Sequence, residues 1–184
     1  MRANAIALRE AIPEAKRNYY TKRIREKTIA YLASISAKFV HIYIGFKSEV
    51  GTLGIIEDLL ESNLKVAVPV IAGEGKDLHM VHARLDNLAN VRTGKFGIPE
   101  PTVVHEISIE DLDAVIVPMV AFDARGMRLG YGKGFYDRFL ATLSPKTVRI
   151  GLAFSQQEMD RIPMLSHDEL INNILTEQSH FFFK

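Results

Sequence analysis

The chain has 184 residues, 47% of them apolar and 24% charged, with a formal net charge of +1 and no cysteine. That length suits one domain spanning residues 1–184, burying about 70% of the surface its unfolded chain would expose; the near-zero charge excludes a global field that recruits nucleic acid or anionic membrane, and the missing thiols exclude a disulfide framework or thiolate metal site. A cytoplasmic protein is expected: no stretch approaches the ~18 apolar residues of a membrane span, and the opening MRANAIALREAIPEAKR has no apolar core of the signal type.

Residues from about 13 to 33 read as a long basic helix, with Ile24, Thr28, Ala30, Tyr31 and Leu32 in a partial apolar stripe. From Arg9 to Lys27 the cations Arg9, Lys16, Arg17, Lys22, Arg23, Arg25 and Lys27 outnumber Glu10, Glu14 and Glu26. This is either a solvated face with pairs such as Lys22–Glu26 or an anion-binding face. FVHIYIGF (39–46) has the β-branched and aromatic content of a strand, and TLGIIEDLLES (52–62) predicts a helix with Thr52 at its N-cap. KVAVPV (65–70) and LHMVHA (78–83) read as short strands joined by the turn-rich AGEGKD, whereas TGKFGIPEPTVVHE (93–106) reads as irregular. DAVIVP (113–118), VRIGLAF (148–154) and INNILTE (171–177) are further strands, and the terminal HFFFK is a last strand or packed tail. FYDRFLATL (135–143) is a helix with Tyr136, Phe139, Leu140 and Leu143 on its apolar stripe. Strands alternating with helices predict a three-layer α/β/α sandwich around a largely parallel sheet.

Ligands of open α/β sheets sit beyond the carboxyl ends of strands. RLGYGKG follows DAVIVP and places Gly130, Gly132 and Gly134 on alternate positions before the helix. No G-K-[ST] closes the run, so it is not a Walker loop; about ten residues part it from its strand, so it is not a dinucleotide fingerprint. It is either a tight turn with close helix–strand contact or a phosphate cradle, and Arg128, Lys133 and Arg138 around it suit a polyphosphate. Asp137, off the apolar stripe, is either a carboxylate favoured by the helix dipole or an oxygen ligand for a phosphate-bridging Mg²⁺. His41 and His82 read as strand histidines, Asp123 as the organiser of an Asx-type turn and Glu100 as structural; His167 is a poor magnesium ligand.

VPMVAFDARGMRLGYGKGFYDRFL (117–140) resembles the signature of the 5-formyltetrahydrofolate cyclo-ligase (methenyltetrahydrofolate synthetase) family. IYIGFKSEVGT (42–52), FGIPEP (96–101), GLAFSQQ (151–157) and HDELINNILTE (167–177) resemble its other segments in order. The resemblance implies an ATP-driven cyclisation: the formyl oxygen of 5-formyltetrahydrofolate is phosphorylated, N10 attacks the activated carbon, and phosphate leaves to give 5,10-methenyltetrahydrofolate. It implies that Arg128, Leu129, Gly130, Tyr131, Gly132, Lys133, Gly134, Phe135 and Tyr136 form the ATP loop, joined by Arg9, with Lys133 and Arg128 as catalytic residues. Lys133 and the N–H groups of Gly132 and Gly134 would face phosphates. Asp137 and Asp168 would hold Mg²⁺, and Glu49 would meet the folate with Tyr131 and Tyr136 walling the pterin. For Tyr136 that role competes with its place on the apolar stripe. The chain departs from the family pattern at Ala5, where a lysine is usual, at Gly51, where an acid is common, and at Val70, where a basic residue often stands. The expected partners are ATP and 5-formyltetrahydrofolate, for a monomer that engages neither nucleic acid nor membrane. A non-catalytic folate- or nucleotide-binding regulator of the same fold is the alternative reading. A nucleic-acid module using the basic helix is a third, which the net charge opposes.

Overall fold

The computed structural model describes residues 1–165 and 168–183, so His167 lies outside the described residues. In chain order the elements are α1 (Arg2–Glu10), α2 (Glu14–Ser34), β1 (Phe39–Ile42), α3 (Leu53–Glu61), β2 (Lys65–Ala72), β3 (His79–Arg84), β4 (Val91–Thr93), β5 (Pro99–Pro101), β6 (Ala114–Pro118), β7 (Ala121–Asp123), β8 (Arg128–Leu129), α4 (Phe135–Ala141), β9 (Val148–Leu152), β10 (Glu158–Met159), β11 (Asn173–Leu175) and β12 (His180–Phe182). The apolar runs pair as a seven-stranded sheet in the order β12-β11-β9-β6-β1-β2-β3. Its inner strands are parallel: Val40 stands opposite Val66 and Ala114, Ile116 opposite Ile150, and Ile174 opposite Gly151. The antiparallel β3 and β12 close the two edges. Parallel strands covered on both faces need apolar side chains pointing both ways, which makes them near-continuous hydrophobic runs.

Alternate residues divide between two cores. Val40, Ile42, Val66, Ile116 and Ile150 face α2 and α3, whose Ile24, Leu32, Ile55, Ile56 and Leu59 complete one. Val115, Val117 and Ile174 meet Phe139 and Leu140 of α4 in the other. The result is the expected three-layer arrangement. From β1 the chain passes through α3 to β2 on one side; from β6 it passes through α4 to β9 on the other. Connections of adjacent strands that diverge in this way open a crevice at their carboxyl ends.

Several elements differ from the sequence expectation. Residues 2–10, left unassigned there, form α1, which ends before Pro13 enters α2. Lys22 and Glu26 do not pair; among the described residues the ion pair of α2 is Arg25–Asp58 at 2.5 Å, reaching across to α3. Thr52 does hold the N-cap position of α3, but its side chain makes no cap bond. Its hydroxyl donates to the Tyr43 carbonyl at 2.7 Å and accepts from the Gly45 N–H at 2.9 Å, folding the loop after β1 back on itself. The stretch after residue 90 contains the β4–β5 hairpin, with Arg92 opposite Glu100. Its Glu100 is buried and accepts from Arg92 at 3.2 Å, the structural role expected.

A second hairpin, β7–β8, fills the interval between β6 and the glycines and pairs with β10 in a small sheet. Asp123 organises it as an Asx turn, accepting from the Arg125 N–H at 2.9 Å and, across the chain, from the Ile162 N–H at 2.9 Å. Burial pushes this carboxyl up, but the Arg125 guanidinium and three backbone donors outweigh it and hold the carboxyl below its ordinary value. Among the described residues no helix is long and apolar enough to cross a membrane.

Candidate active site

The crevice between β1 and β6 is walled by the loop after β1 and by the segment from β7 to α4. Leu129 packs beside Val120, Ala121 and Met127 in a third small core, which anchors the start of the glycine run. Two of the three glycines then need left-handed backbone, Gly132 at φ 91° and Gly134 at φ 65°, conformations glycine adopts without steric cost. Cations surround the turn. Arg2, from the first turn of α1, donates Nε to the Gly130 carbonyl at 2.7 Å and lays its guanidinium beside Gly132. Arg138 donates to the Lys133 carbonyl at 3.2 Å and stacks over the Phe135 ring at 5.3 Å. Lys133 is exposed, with its Nζ 3.9 Å from the centroid of Phe96.

Behind the loop lies Arg128, buried, with Nη2 bonded to Asp137 Oδ1 at 2.5 Å. Burial pulls the Arg128 guanidinium down from its ordinary value, while Asp137 and, more weakly, Asp168 oppose that pull. Both carboxylates therefore act on one buried cation. The Arg128 Nε–H and the Tyr136 hydroxyl are buried without a hydrogen-bond partner. An orphaned buried polar atom costs folding free energy of about 1–3 kcal/mol, so both groups are open to a hydrogen-bond partner from a ligand or water. The Tyr136 ring joins the cores on both sides of the sheet, as its place on the apolar stripe predicts, and its hydroxyl is buried there without a partner. Burial, helped by the charge of Glu49, holds that hydroxyl far above the ordinary phenol value.

Opposite, Glu49 is half-buried and accepts from the Phe46 N–H at 2.9 Å. Burial raises its carboxyl above the ordinary value, against the opposing pulls of the Tyr131 hydroxyl, the Phe46 N–H and Arg9. Tyr131 bridges the two walls, since its hydroxyl also receives Arg9 Nη2 at 2.9 Å. Arg9 itself is only 2% exposed; Nε donates to Ser48 Oγ at 3.0 Å and Nη1 to the Met119 carbonyl at 3.3 Å. It is an interior clamp that reaches Tyr131 of the glycine turn from beneath, and Arg2 is a second cation that α1 brings to the same turn. Arg2 and Arg9 stand seven residues apart, nearly two full helical turns, so they share a face of α1. That spacing was the available signal. Ala5 and Val70, two of the departures, are packed in the interior, where a lysine or arginine would be buried.

Magnesium takes oxygen ligands, commonly one or two carboxylates completed by phosphate oxygens and water. Asp137 and Asp168 are carboxylates of that donor type whose charges each act on Arg128, and Asp168 also accepts from the Leu165 N–H at 2.7 Å. Among the described residues there is no group of three or more His, Cys, Asp or Glu that would hold a metal by itself.

A family model described as the 5-formyltetrahydrofolate cyclo-ligase family matches residues 1–177. The chain is 30% identical over 178 residues to the 5-formyltetrahydrofolate cyclo-ligase of Haemophilus influenzae, a match covering 95% of this chain and 91% of that protein. It is 30% identical over 182 residues to the same-named protein of Mycolicibacterium smegmatis, covering 96% and 91%. The solved structure of Aquifex aeolicus 5,10-methenyltetrahydrofolate synthetase superposes with a TM-score of 0.85 at 27% identity, covering 100% of this chain and 91% of that one. That of a Mycoplasma pneumoniae 5,10-methenyltetrahydrofolate synthetase shares the fold, with a TM-score of 0.77 at 22% identity and 96% of each chain covered. The likeness is therefore not confined to the glycine loop but takes in α1, the loop after β1 and the strands that carry them, and the chain belongs to the 5-formyltetrahydrofolate cyclo-ligase family.

Proposed function

We propose that the protein converts 5-formyltetrahydrofolate and ATP to 5,10-methenyltetrahydrofolate, ADP and phosphate. The observation that carries this reading is the buried Arg128, held by Asp137 with its Nε–H unpartnered, directly behind an exposed glycine turn ringed by Arg2, Lys133 and Arg138. The chemical difficulty is the formyl oxygen, which does not depart as hydroxide. Transfer of the γ-phosphoryl group to that oxygen gives a phosphate leaving group. The N10 lone pair then attacks the formyl carbon, a C–N bond forms, N10 loses its proton, and the C–O bond breaks with its electrons on phosphate. Catalysis of such a transfer is mostly positioning and charge stabilisation, consistent with a site that pairs cations with a glycine turn rather than a nucleophile with a base.

In this reading Lys133, Arg2 and Arg138 hold the phosphates at the turn, and Arg128 directs Nε–H at the transferring group. Asp137 and Asp168 supply carboxylates for Mg²⁺, which when bound neutralises charge on the phosphates. Glu49 accepts from pterin N–H donors, and Tyr131 and Tyr136 wall the ring. The test is an absorbance assay for the methenyl product with 5-formyltetrahydrofolate, Mg²⁺ and ATP. Product is expected from the wild type and only with ATP present. Asp137→Asn, which keeps an acceptor for Arg128, and Asp137→Ala should both lower the rate by about a hundredfold. A wild type that binds ATP but forms no product would sink the proposal.

A further inference from the structure

The tip of the β4–β5 hairpin touches three other parts of the molecule. Phe96 lies under the Lys133 ammonium at 3.9 Å. Gly97 sits against the Phe46 ring, and the Phe46 N–H in turn donates to Glu49. Lys95 Nζ donates to the Gly73 carbonyl in the turn between β2 and β3. The tip is bent to make these contacts: Phe96 stands at φ 58° and ψ 17°, a left-handed conformation rare and costly for an aromatic residue. Gly94 allows the bend because the Glu100 carboxylate packs where a Cβ would stand. Core packing does not explain the strained residue, for its side chain is 52% exposed. The contact its ring makes towards the site is with Lys133.

We infer that Phe96 is a positioning residue that sets the Lys133 ammonium over the glycine turn before nucleotide arrives; this rests on the proposed use of ATP. A lysine ammonium rides on a flexible four-carbon stem, and fixing it on a phosphate removes rotamer freedom. The negative face of the Phe96 ring restrains the cation from one side. The ammonium's N–H donors on the opposite side stay available to an anion. Restraining the ammonium beforehand spares part of the side-chain entropy that a phosphate would otherwise have to remove, about two- to fivefold in affinity. The restraint is present before and throughout the reaction, so it lowers the KM for ATP and leaves kcat unchanged.

The test is calorimetric titration of the full chain with ATP and Mg²⁺, without folate, for wild type, Phe96→Leu, Phe96→Tyr, Lys133→Gln and the Phe96→Leu/Lys133→Gln double variant. Phe96→Leu should weaken ATP about two- to fivefold and Phe96→Tyr should restore it. In the Lys133→Gln background Phe96→Leu should have no further effect. An unchanged affinity in Phe96→Leu, or the same loss with and without Lys133, overturns the positioning role while leaving ATP use intact. A wild type that takes up no ATP overturns the underlying reading, and the inference falls with it. If Phe96→Leu lacks a cooperative thermal transition, Phe96→Met, also unbranched at Cβ, replaces it with the same expectations.

Discussion

At Gly132 the backbone stands at φ 91°, and a Cβ built there would meet the Arg2 guanidinium at 3.2 Å; at Gly130 the φ is ordinary and the nearest atom, on Arg128, is at 3.4 Å. Alanine at 132 must therefore adopt left-handed backbone, costing about 1–2 kcal/mol, and must shift the Arg2 guanidinium by a few tenths of an ångström. Alanine at 130 meets an ordinary contact and should change stability by less than about 0.5 kcal/mol. Thermal denaturation and ATP titration of the two variants check this: Gly132→Ala should lose both stability and nucleotide affinity, Gly130→Ala neither. Equal behaviour would mean that the turn is not shaped by Gly132. The alternating glycines and the cations beside them were legible in the sequence as a sharp turn and a candidate site. Which glycine is obligatory was not, because φ depends on how β8 and α4 hold the two ends of the turn. The same limit applies to Arg9, which the resemblance marks for nucleotide: only the docking of α1 decides that Arg9 is the inner cation and Arg2 the outer one.

Between elements, the sheet and α4 meet at a pair of histidines. His41 of β1 is fully buried, and its Nε2 lies 3.1 Å from His82 Nδ1 on β3. Phe139 of α4 covers both, its ring centroid 4.1 Å from that of His82 and 4.7 Å from that of His41. One ring donates and the other accepts, so the two cannot both be protonated in the native state. Burial lowers His82 to about 4, and burial with the neighbouring His82 takes His41 well below its ordinary value. In the unfolded chain both titrate near their ordinary value of about 6.5. As pH falls below that, the unfolded state binds protons that the folded state refuses, so stability is greatest above about 6.5 and declines towards pH 4. The His82 share of that loss, reduced by its partial exposure to water, is on the order of 1–2 kcal/mol. Urea denaturation at pH 7.5, 6.0 and 4.5 should show the decline, and His82→Gln should flatten it. An unaltered slope would place the acid sensitivity elsewhere. At this scale the buried strands were readable because apolar runs have no other use. The β4–β5 hairpin was not, because its prolines and glycines resemble a loop until the partner strand is known.

For the molecule as a whole, the site is a meeting of segments distant in sequence, and Arg9 is where they are fastened. Its guanidinium links α1 to Ser48 in the loop after β1, to the Met119 carbonyl after β6 and to Tyr131 in the glycine turn. Gln157 supports the same junction, donating to the Met119 carbonyl at 2.9 Å and to the Val120 carbonyl at 3.0 Å. The planar fork of arginine reaches three acceptors at once, which a lysine ammonium on a different stem cannot reproduce. Arg9→Met should keep the buried volume but leave the buried Ser48 hydroxyl without that donor, at a cost of about 1–3 kcal/mol, while the half-exposed Tyr131 can turn to water. Met119 would retain Gln157, which bounds the loss. Because α1 also carries Arg2, loosening Arg9 should weaken ATP binding although Arg9 lies beneath the surface. Hydrogen exchange across residues 2–10 should rise in Arg9→Met and remain raised in Arg9→Lys, with nucleotide affinity falling in parallel. If Arg9→Lys instead matches the wild type in both exchange and affinity, α1 is held by the packing around Ala5 alone, and the fork geometry is not what assembles the site.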